Sequence, residues 1–184
     1  MKVLVLYATT EGQTRRIADA VASQLQGDEV TLVDIVDAPD SLNPAQFDAA
    51  IIAASIHMHR YQGTITGFAR DHHADLNQMP TLFISVSLSA AGDDPEDLKG
   101  VAECVEKFTV ETSWKPRQIL QVAGAFRFTR YDFFKSWAMR RIAKDKKIKV
   151  NPHEDLELTD WSALTRDIQS FRATLVSGAP HKAI

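Results

Sequence analysis

The sequence predicts an α/β fold: a five-stranded parallel sheet, doubly wound by helices, in one domain over residues 1–184. Three features carry that expectation. Five short runs are rich in aliphatic and β-branched residues, the segments between them repeat apolar residues at helical spacing, and a loop with one glycine joins the first run to the first helix. Near-continuous apolarity, rather than strict alternation, is what strands covered on both faces require. Strand alternating with helix then implies right-handed crossovers.

The first run is KVLVLYA, Lys2–Ala8, and the stripe Ile17, Ala18, Val21, Ala22 and Leu25 follows it as a helix. VTLVDI (30–35) is the second strand, and the connection 36–47, with two prolines and several polar residues, reads as a loop. AAIIAASI (49–56) precedes one helical stripe of Ile65, Phe68, Ala69, His72 and Leu76. TLFISVSL (81–88) precedes Leu98, Val101, Ala102, Val105 and Phe108, and QILQVAGA (118–125) is the fifth strand. The last stripe, Trp161, Leu164, Ile168, Phe171 and Leu175, begins where Thr159 or Asp160 can cap it. Before it lie about thirty residues, an insertion over roughly 126–158, far longer than a usual α/β connection.

A net charge of -3 with 24% charged residues describes a globular surface and argues against a nucleic-acid partner. One cysteine, Cys104, excludes an intrachain disulfide, and a reducing cytoplasm is the expected compartment. The first apolar run is too short for a signal-peptide core, and no run approaches the roughly 20 residues that a bilayer crossing needs. Membrane contact is therefore expected to be peripheral.

The loop LYATTEGQT (6–14) is the chemically informative stretch. A glycine-bearing turn between strand and helix gathers free backbone N–H groups at the positive end of the helix dipole, a place that favours an anion. Thr9, Thr10 and Thr14 add hydroxyls, and Gly12 lets the backbone come close. A Walker loop would need a lysine after its last glycine, and a dinucleotide fingerprint would need three glycines; neither is present. Glu11 lies inside the loop and Arg15 and Arg16 follow it, so the donors are neutral, as suits a terminal monophosphate.

VLYATTEGQT (5–14) resembles the flavodoxin signature of two aliphatics, an aromatic, any residue, Ser or Thr, two residues, Gly, one residue and Thr. The resemblance implies strand order 2-1-3-4-5, with FMN at the switch point beside the first strand. Further motifs narrow it: AASIHMHRY (53–61), MPTLFISVSL (79–88), WKP (114–116), AGAFRFTRY (123–131) and TDW (159–161) are similar to those of the menaquinone-dependent protoporphyrinogen IX dehydrogenases over nearly the whole chain. That family oxidises protoporphyrinogen IX with FMN and passes electrons to a membrane quinone, here menaquinone or ubiquinone.

The resemblance places Thr9, Thr10, Glu11, Gly12, Gln13 and Thr14 around the FMN phosphate. Ser55, Ile56, His57 and Met58 would flank one side of the flavin ring, and Ser87, Leu88, Ser89, Ala90 and Gly92 the other. No catalytic acid or base is named by it. The chain departs from the family in carrying His57, Met58, His59 and Arg60 where a glycine is more usual, and a small acidic loop after the fourth strand where relatives carry basic residues. Two other readings share the fold: an FMN quinone reductase with another substrate, and an electron-carrier flavodoxin. Carriers dock through an acidic face, which the basic insertion opposes.

Residues 127–149 hold Arg127, Arg130, Lys135, Arg140, Arg141, Lys144, Lys146, Lys147 and Lys149 against Asp132 and Asp145, with Phe128, Tyr131, Phe133, Phe134 and Trp137 interleaved. Three roles suit this segment. It could lie on the cytoplasmic face of an inner membrane, gaining about 1 kcal/mol per basic residue at an anionic surface; it could meet tetrapyrrole propionates; or it could pack on its own domain or form a homodimer interface. His57 and His59 lack the further ligands that a zinc site needs. His72, His73 and Cys104 read as helix packing, and Trp114 and Trp161 as core or loop anchors.

Overall fold

The computed structural model describes residues 1–126 and 156–177. In chain order the elements are β1 (Lys2–Ala8), α1 (Gln13–Gln24), β2 (Glu29–Asp34), β3 (Ala49–Ser55), α2 (Gly63–Asp71), α3 (His73–Gln78), β4 (Thr81–Ser87), α4 (Pro95–Thr112), β5 (Gln118–Ala123), β6 (Ala125–Phe126), β7 (Leu156–Glu157) and α5 (Trp161–Ser177). The main sheet is entirely parallel in the order β2-β1-β3-β4-β5. Chain direction therefore reverses between β1 and β3, and ligands of open α/β sheets bind beyond the carboxyl ends of such strands.

β1, β3 and β4 are buried almost throughout, which is why their sequences are apolar without alternation. The edges behave differently: in β5 the exposure alternates along the strand, because a neighbour covers only one side. One face packs Ile17, Val21, Ile168 and Phe171 of α1 and α5 against Val3, Val5 and Ile51. The other packs Ile65, Leu76, Val105 and Phe108 of α2, α3 and α4 against Leu4, Leu6 and Phe83.

Three local expectations need correction, and a fourth, the choice between two caps, is settled. The stripe from Ile65 to Leu76 is two helices, not one, with the break at His72, whose ring rests on Phe68 at 4.6 Å. α4 buries Val101, Cys104, Val105, Phe108 and Thr112, while Leu98 and Ala102 face outward, so the helix is rotated from the expected phase. The fifth run stops at Ala123, and Ala125–Phe126 form a separate ribbon with Leu156–Glu157. Asp160 caps α5, its Oδ1 accepting from the N–H of Ala163 at 2.9 Å, whereas Thr159 is engaged elsewhere. The β6–β7 pairing brings together the two ends of the interval 127–155. The basic, aromatic segment 127–149 lies in that interval, outside the described residues.

α5 is fastened to the sheet by Asp28, whose carboxylate accepts from Arg172 Nε at 2.8 Å and from the Met1 amino group at 3.2 Å. The hydrogen bond from Arg172 holds the Asp28 carboxyl below its ordinary pKa. A depressed folded-state pKa stabilises above the unfolded value and ceases to do so as pH falls through the folded one. Asp28→Asn is expected to cost about 1 kcal/mol at neutral pH, Arg172 being partly exposed. Urea titrations should show that deficit closing as pH drops below the ordinary carboxylate range.

Candidate functional site

β1 ends under the sheet's C-terminal edge, and the chain turns into α1 through Thr9–Gly12. Gly12 has φ 87°, the left-handed conformation that glycine adopts without steric cost, and its N–H donates to Thr9 Oγ1 at 2.9 Å. Arg16 N then closes the first helical bond onto Gly12 O. The N–H groups of Thr10, Glu11, Gln13, Thr14 and Arg15 have no acceptor among the described residues. These are the orphan donors of a helix start, gathered around one turn with the dipole behind them. α1 carries no acidic residue in its first turn to compete for them.

The second wall is the turn after β3. His57 N donates to Arg60 O at 2.8 Å and Arg60 N to His57 O at 3.0 Å, so residues 57–60 form a two-residue reverse turn. Met58 (φ 49°) and His59 (φ 62°) both occupy the left-handed region. The type I′ geometry demands positive φ twice, and here two side-chain-bearing residues supply it. Beneath them Tyr61 is anchored: its hydroxyl donates to Ser85 Oγ at 2.7 Å, and its ring meets Phe83 and Phe108 edge-on. Burial raises the Tyr61 pKa, so the phenol stays protonated.

Gln62 links this turn to the phosphate-type loop. Its amide nitrogen donates to Ser55 Oγ at 2.8 Å and to Thr10 Oγ1 at 3.1 Å, and Ser55 Oγ shares a hydrogen bond with His57 Nε2 at 3.1 Å. The side-chain oxygen of Gln62, Oε1, is buried with no partner among the described residues, an acceptor left open beside the site. The third wall follows β4: Ser87 Oγ accepts from Ala90 N, and Ser87 O accepts from Gly124 N at 3.1 Å.

These walls enclose a cleft of about 60 Å³ lined on one side by Thr9, Glu11, Gln13 and Thr14 and on the others by Ser55, Ile56, His57, Ser87 and Leu88. Of the other residues expected here, Thr10 and Gly12 shape the loop from outside the lining, Ser89, Ala90 and Gly92 continue the third wall, and Met58 points away and is 94% exposed. Val86, Gly124 and Ala125 line the cleft without having been expected. Their signal was the AGA at the end of the fifth run, where a Cβ on Gly124 would meet Val86 Cγ1 at 3.4 Å. Larger concavities exist elsewhere, but among the described residues the unpaired backbone donors converge on this cleft.

A polar cluster closes the cleft from behind. Gln13 Nε2 donates to Glu157 Oε1 at 2.7 Å and to Thr159 Oγ1 at 2.9 Å, and Thr159 Oγ1 donates to Ala123 O at 2.7 Å. Arg16 donates to Glu157 Oε2 at 2.6 Å and to Gln13 Oε1 at 3.1 Å, with its guanidinium 5.5 Å from the Trp161 ring centre. The TDW motif thus ties the α1 start to the chain returning through β7. Burial also raises the Cys104 pKa, which leaves that thiol neutral.

Sheet order, switch-point turn and neutral donor cradle define a mononucleotide-binding protein of the flavodoxin class. A family model described as a flavodoxin domain matches residues 4–152. The protoporphyrinogen IX dehydrogenase (quinone) of Leishmania major is 30% identical over 97% of this chain and 78% of its own length. The enzyme of that name from Escherichia coli K12 is 30% identical over 88% and 89%. A flavodoxin mutant of Fusobacterium nucleatum bound to flavin mononucleotide superposes over 97% of both chains with a TM-score of 0.50 at 10% identity, a likeness of fold.

The chain belongs to the protoporphyrinogen IX dehydrogenase (quinone) family of flavodoxin-domain proteins. It is a flavoprotein oxidoreductase with FMN as cofactor. The residues present fit that group: a phosphate monoester needs several convergent neutral donors and no transferring cation, and the 9–15 turn offers free N–H groups, the Thr14 hydroxyl and a left-handed glycine.

Two outcomes follow from this geometry. Met58→Gly removes a left-handed side chain that packs on little, and should stabilise the fold by about 0.5–1 kcal/mol after the entropy cost of glycine, read from urea midpoints. Thr159→Val removes the hydroxyl donor to the Ala123 carbonyl and leaves the Gln13 amide with Glu157 as its one acceptor; it should cost about 1–3 kcal/mol and raise the FMN dissociation constant in a fluorescence titration. A stability loss with unchanged FMN affinity would reduce this cluster to a structural tie.

Proposed function

We propose that the chain oxidises protoporphyrinogen IX to protoporphyrin IX and passes the electrons to a quinone. The observation that carries this reading is the neutral phosphate-type cradle at the β1–β3 switch point, in a chain aligned over nearly its whole length with relatives of that name. Residues 9–14 hold the FMN phosphate. Ser55, Ile56 and His57 flank one side of the ring, Met58 being turned to the far side of the turn, and Ser87, Leu88, Ser89, Ala90 and Gly92 flank the other. FMN supplies the hydride acceptor and the relay to the quinone when it is bound.

The protein contributes position and dryness. Ile56 and Leu88 give the cleft apolar sides, while the Gln62 bridge fixes the spacing between two of its walls. Glu11 and His57 are the titratable side chains in the lining, and neither has a partner arrangement that singles it out as a proton donor. Rate then depends on holding the reacting carbon close to the flavin, which proximity and orientation can accelerate strongly.

Quinones of this kind are lipid-borne. No helix among the described residues is long and apolar enough to cross a membrane. The basic, aromatic segment 127–149 is the part of the chain with the composition to lie on a lipid surface and meet the quinone there. Anaerobic incubation with protoporphyrinogen IX should generate porphyrin fluorescence that accelerates when menaquinone in anionic liposomes is added. Fluorescence no greater than in a protein-free control, from FMN-loaded protein that still reduces the quinone with another donor, would replace this substrate. Deleting residues 131–149 should leave FMN bound while quinone-coupled turnover and liposome sedimentation fall.

A further inference from the structure

Beside the cleft lies a second, larger depression, a groove of about 920 Å³ between α2 and α4, within the range of small-molecule sites. The 57–60 turn is the wall between them: His57 faces the cleft, while Met58, His59 and Arg60 face the groove. α2 presents Gly63, Thr66, Gly67 and Arg70 to it, one helical face at i, i+3, i+4 and i+7; α4 opposes with Cys104, Lys107, Phe108 and Glu111 at the same spacing.

The glycines of α2 are unusual. Neither has the positive φ that would require glycine. Nor does close packing explain them: a Cβ at Gly63 would meet nothing within 4 Å, and one at Gly67 only the far end of Arg70 at 3.9 Å. Glycine is a poor helix former, so two of them on one face weaken α2 and leave an open trough in return.

The trough has an apolar floor and a cationic rim. Phe108, Tyr61 and Cys104 are buried at its base. Arg60, Arg70 and Lys107 stand around it, opposed by Glu111. Arg70 is held only loosely, by Asp71 at 3.5 Å with both side chains more than half exposed; Arg60 and Lys107 form no ion pair with a described residue. A ligand matching this surface has an apolar body and more than one carboxylate, since guanidinium and ammonium groups pair with carboxylates through charge-assisted hydrogen bonds.

We propose that the α2–α4 groove is the binding site for a tetrapyrrole dicarboxylate, its macrocycle over Phe108 and Tyr61, its carboxylates on Arg60, Arg70 and Lys107, and its leading edge at the 57–60 turn. The identity of the tetrapyrrole rests on the proposed function; the groove's preference for an apolar dicarboxylate does not. The site is built entirely from described residues; the cations of the 127–149 segment are the other candidates for propionate contact.

The test uses full-length, FMN-loaded protein and two probes: protoporphyrin IX, with free carboxylates, and its dimethyl ester. Binding is followed by porphyrin fluorescence. Gly67→Leu fills the trough and replaces a helical glycine with a better helix former; the pair Arg70→Gln with Lys107→Gln removes rim charge. Each should weaken protoporphyrin IX binding by about tenfold or more, the charge variant through two lost charge-assisted contacts and Gly67→Leu through lost space, with the flavin spectrum and melting temperature retained. The ester should bind the wild type at least as weakly, and the charge variant should not weaken it further.

In turnover the same variants should raise KM far more than they lower kcat. Unchanged protoporphyrin IX affinity in both variants, ester binding as tight as acid binding, or no binding to the wild type overturns the groove. If the wild type oxidises protoporphyrinogen IX and the variants keep its KM, the groove falls and the proposed function stands. If the wild type binds protoporphyrin IX in a variant-sensitive way yet never oxidises the porphyrinogen, the groove stands and the proposed function falls. Direct binding of inorganic phosphate or anionic lipid vesicles that the charge variant loses, with no porphyrin binding to the wild type, would overturn the groove as a tetrapyrrole site and assign the rim to those anions.

Discussion

The left-handed turn at Gly12 is the constraint on which the rest of the site depends. β1 is buried along nearly all its length, so its end point is fixed by core packing, and the chain must reverse direction there within a few residues to lay α1 on the sheet. Gly12 makes the reversal without steric cost, and Thr9 Oγ1 absorbs its N–H. The consequence is chemical: the neighbouring N–H groups are left without internal partners around a single turn beside the cleft. Unpaired donors are normally costly, and at a helix start they are tolerated because water or an anion can reach them. An anionic tail therefore binds to donors that the fold leaves open whether or not it is present.

The other two walls are positioned by bonds that cross between elements rather than by their own loops. Gln62 at the head of α2 reaches back to Thr10 and Ser55, Gly124 after β5 donates to Ser87, and Ile56 N donates to Val86 O. Thr159 and Glu157, nearly the full chain away from Gln13, clamp the opposite side of the α1 start. A cleft made from several segments in this way is preorganised: its width is set by hydrogen bonds that cross between elements, with the Glu157 carboxylate among their acceptors.

The parts legible in sequence were those written in short-range pattern. Apolar runs and the spacing of Ile17, Val21 and Leu25 report local period directly, and the resemblance of residues 5–14 to a known signature added the strand order that the sheet then displays. The break at His72 was hidden because Phe68, His72 and Leu76 continue the stripe across it, with no glycine or proline to mark the stop. The phase of α4 was ambiguous because Val101, Val105 and Phe108 belong to two overlapping faces; only the position of the sheet decides that Cys104 and Thr112 are buried and Ala102 is not. The roles of Gln62, Glu157 and Thr159 had no local signal, since each acts on a partner that is close only after folding.

The 57–60 turn joins these threads. Each left-handed residue with a side chain costs about 1–2 kcal/mol relative to glycine's freedom, and this turn spends that cost twice while exposing Met58 almost fully. Glycine at either position would be cheaper in the folded state but would loosen the chain around it. The base of the turn is held by the reciprocal His57–Arg60 bonds, by the His57–Ser55 contact and by Tyr61 locked onto Ser85 between two phenylalanines. Strain of this kind persists where surrounding structure over-determines it. Here it keeps in place a thin partition with the cleft on one side and the cationic groove on the other, so that the spacing between the two depressions is fixed by the protein.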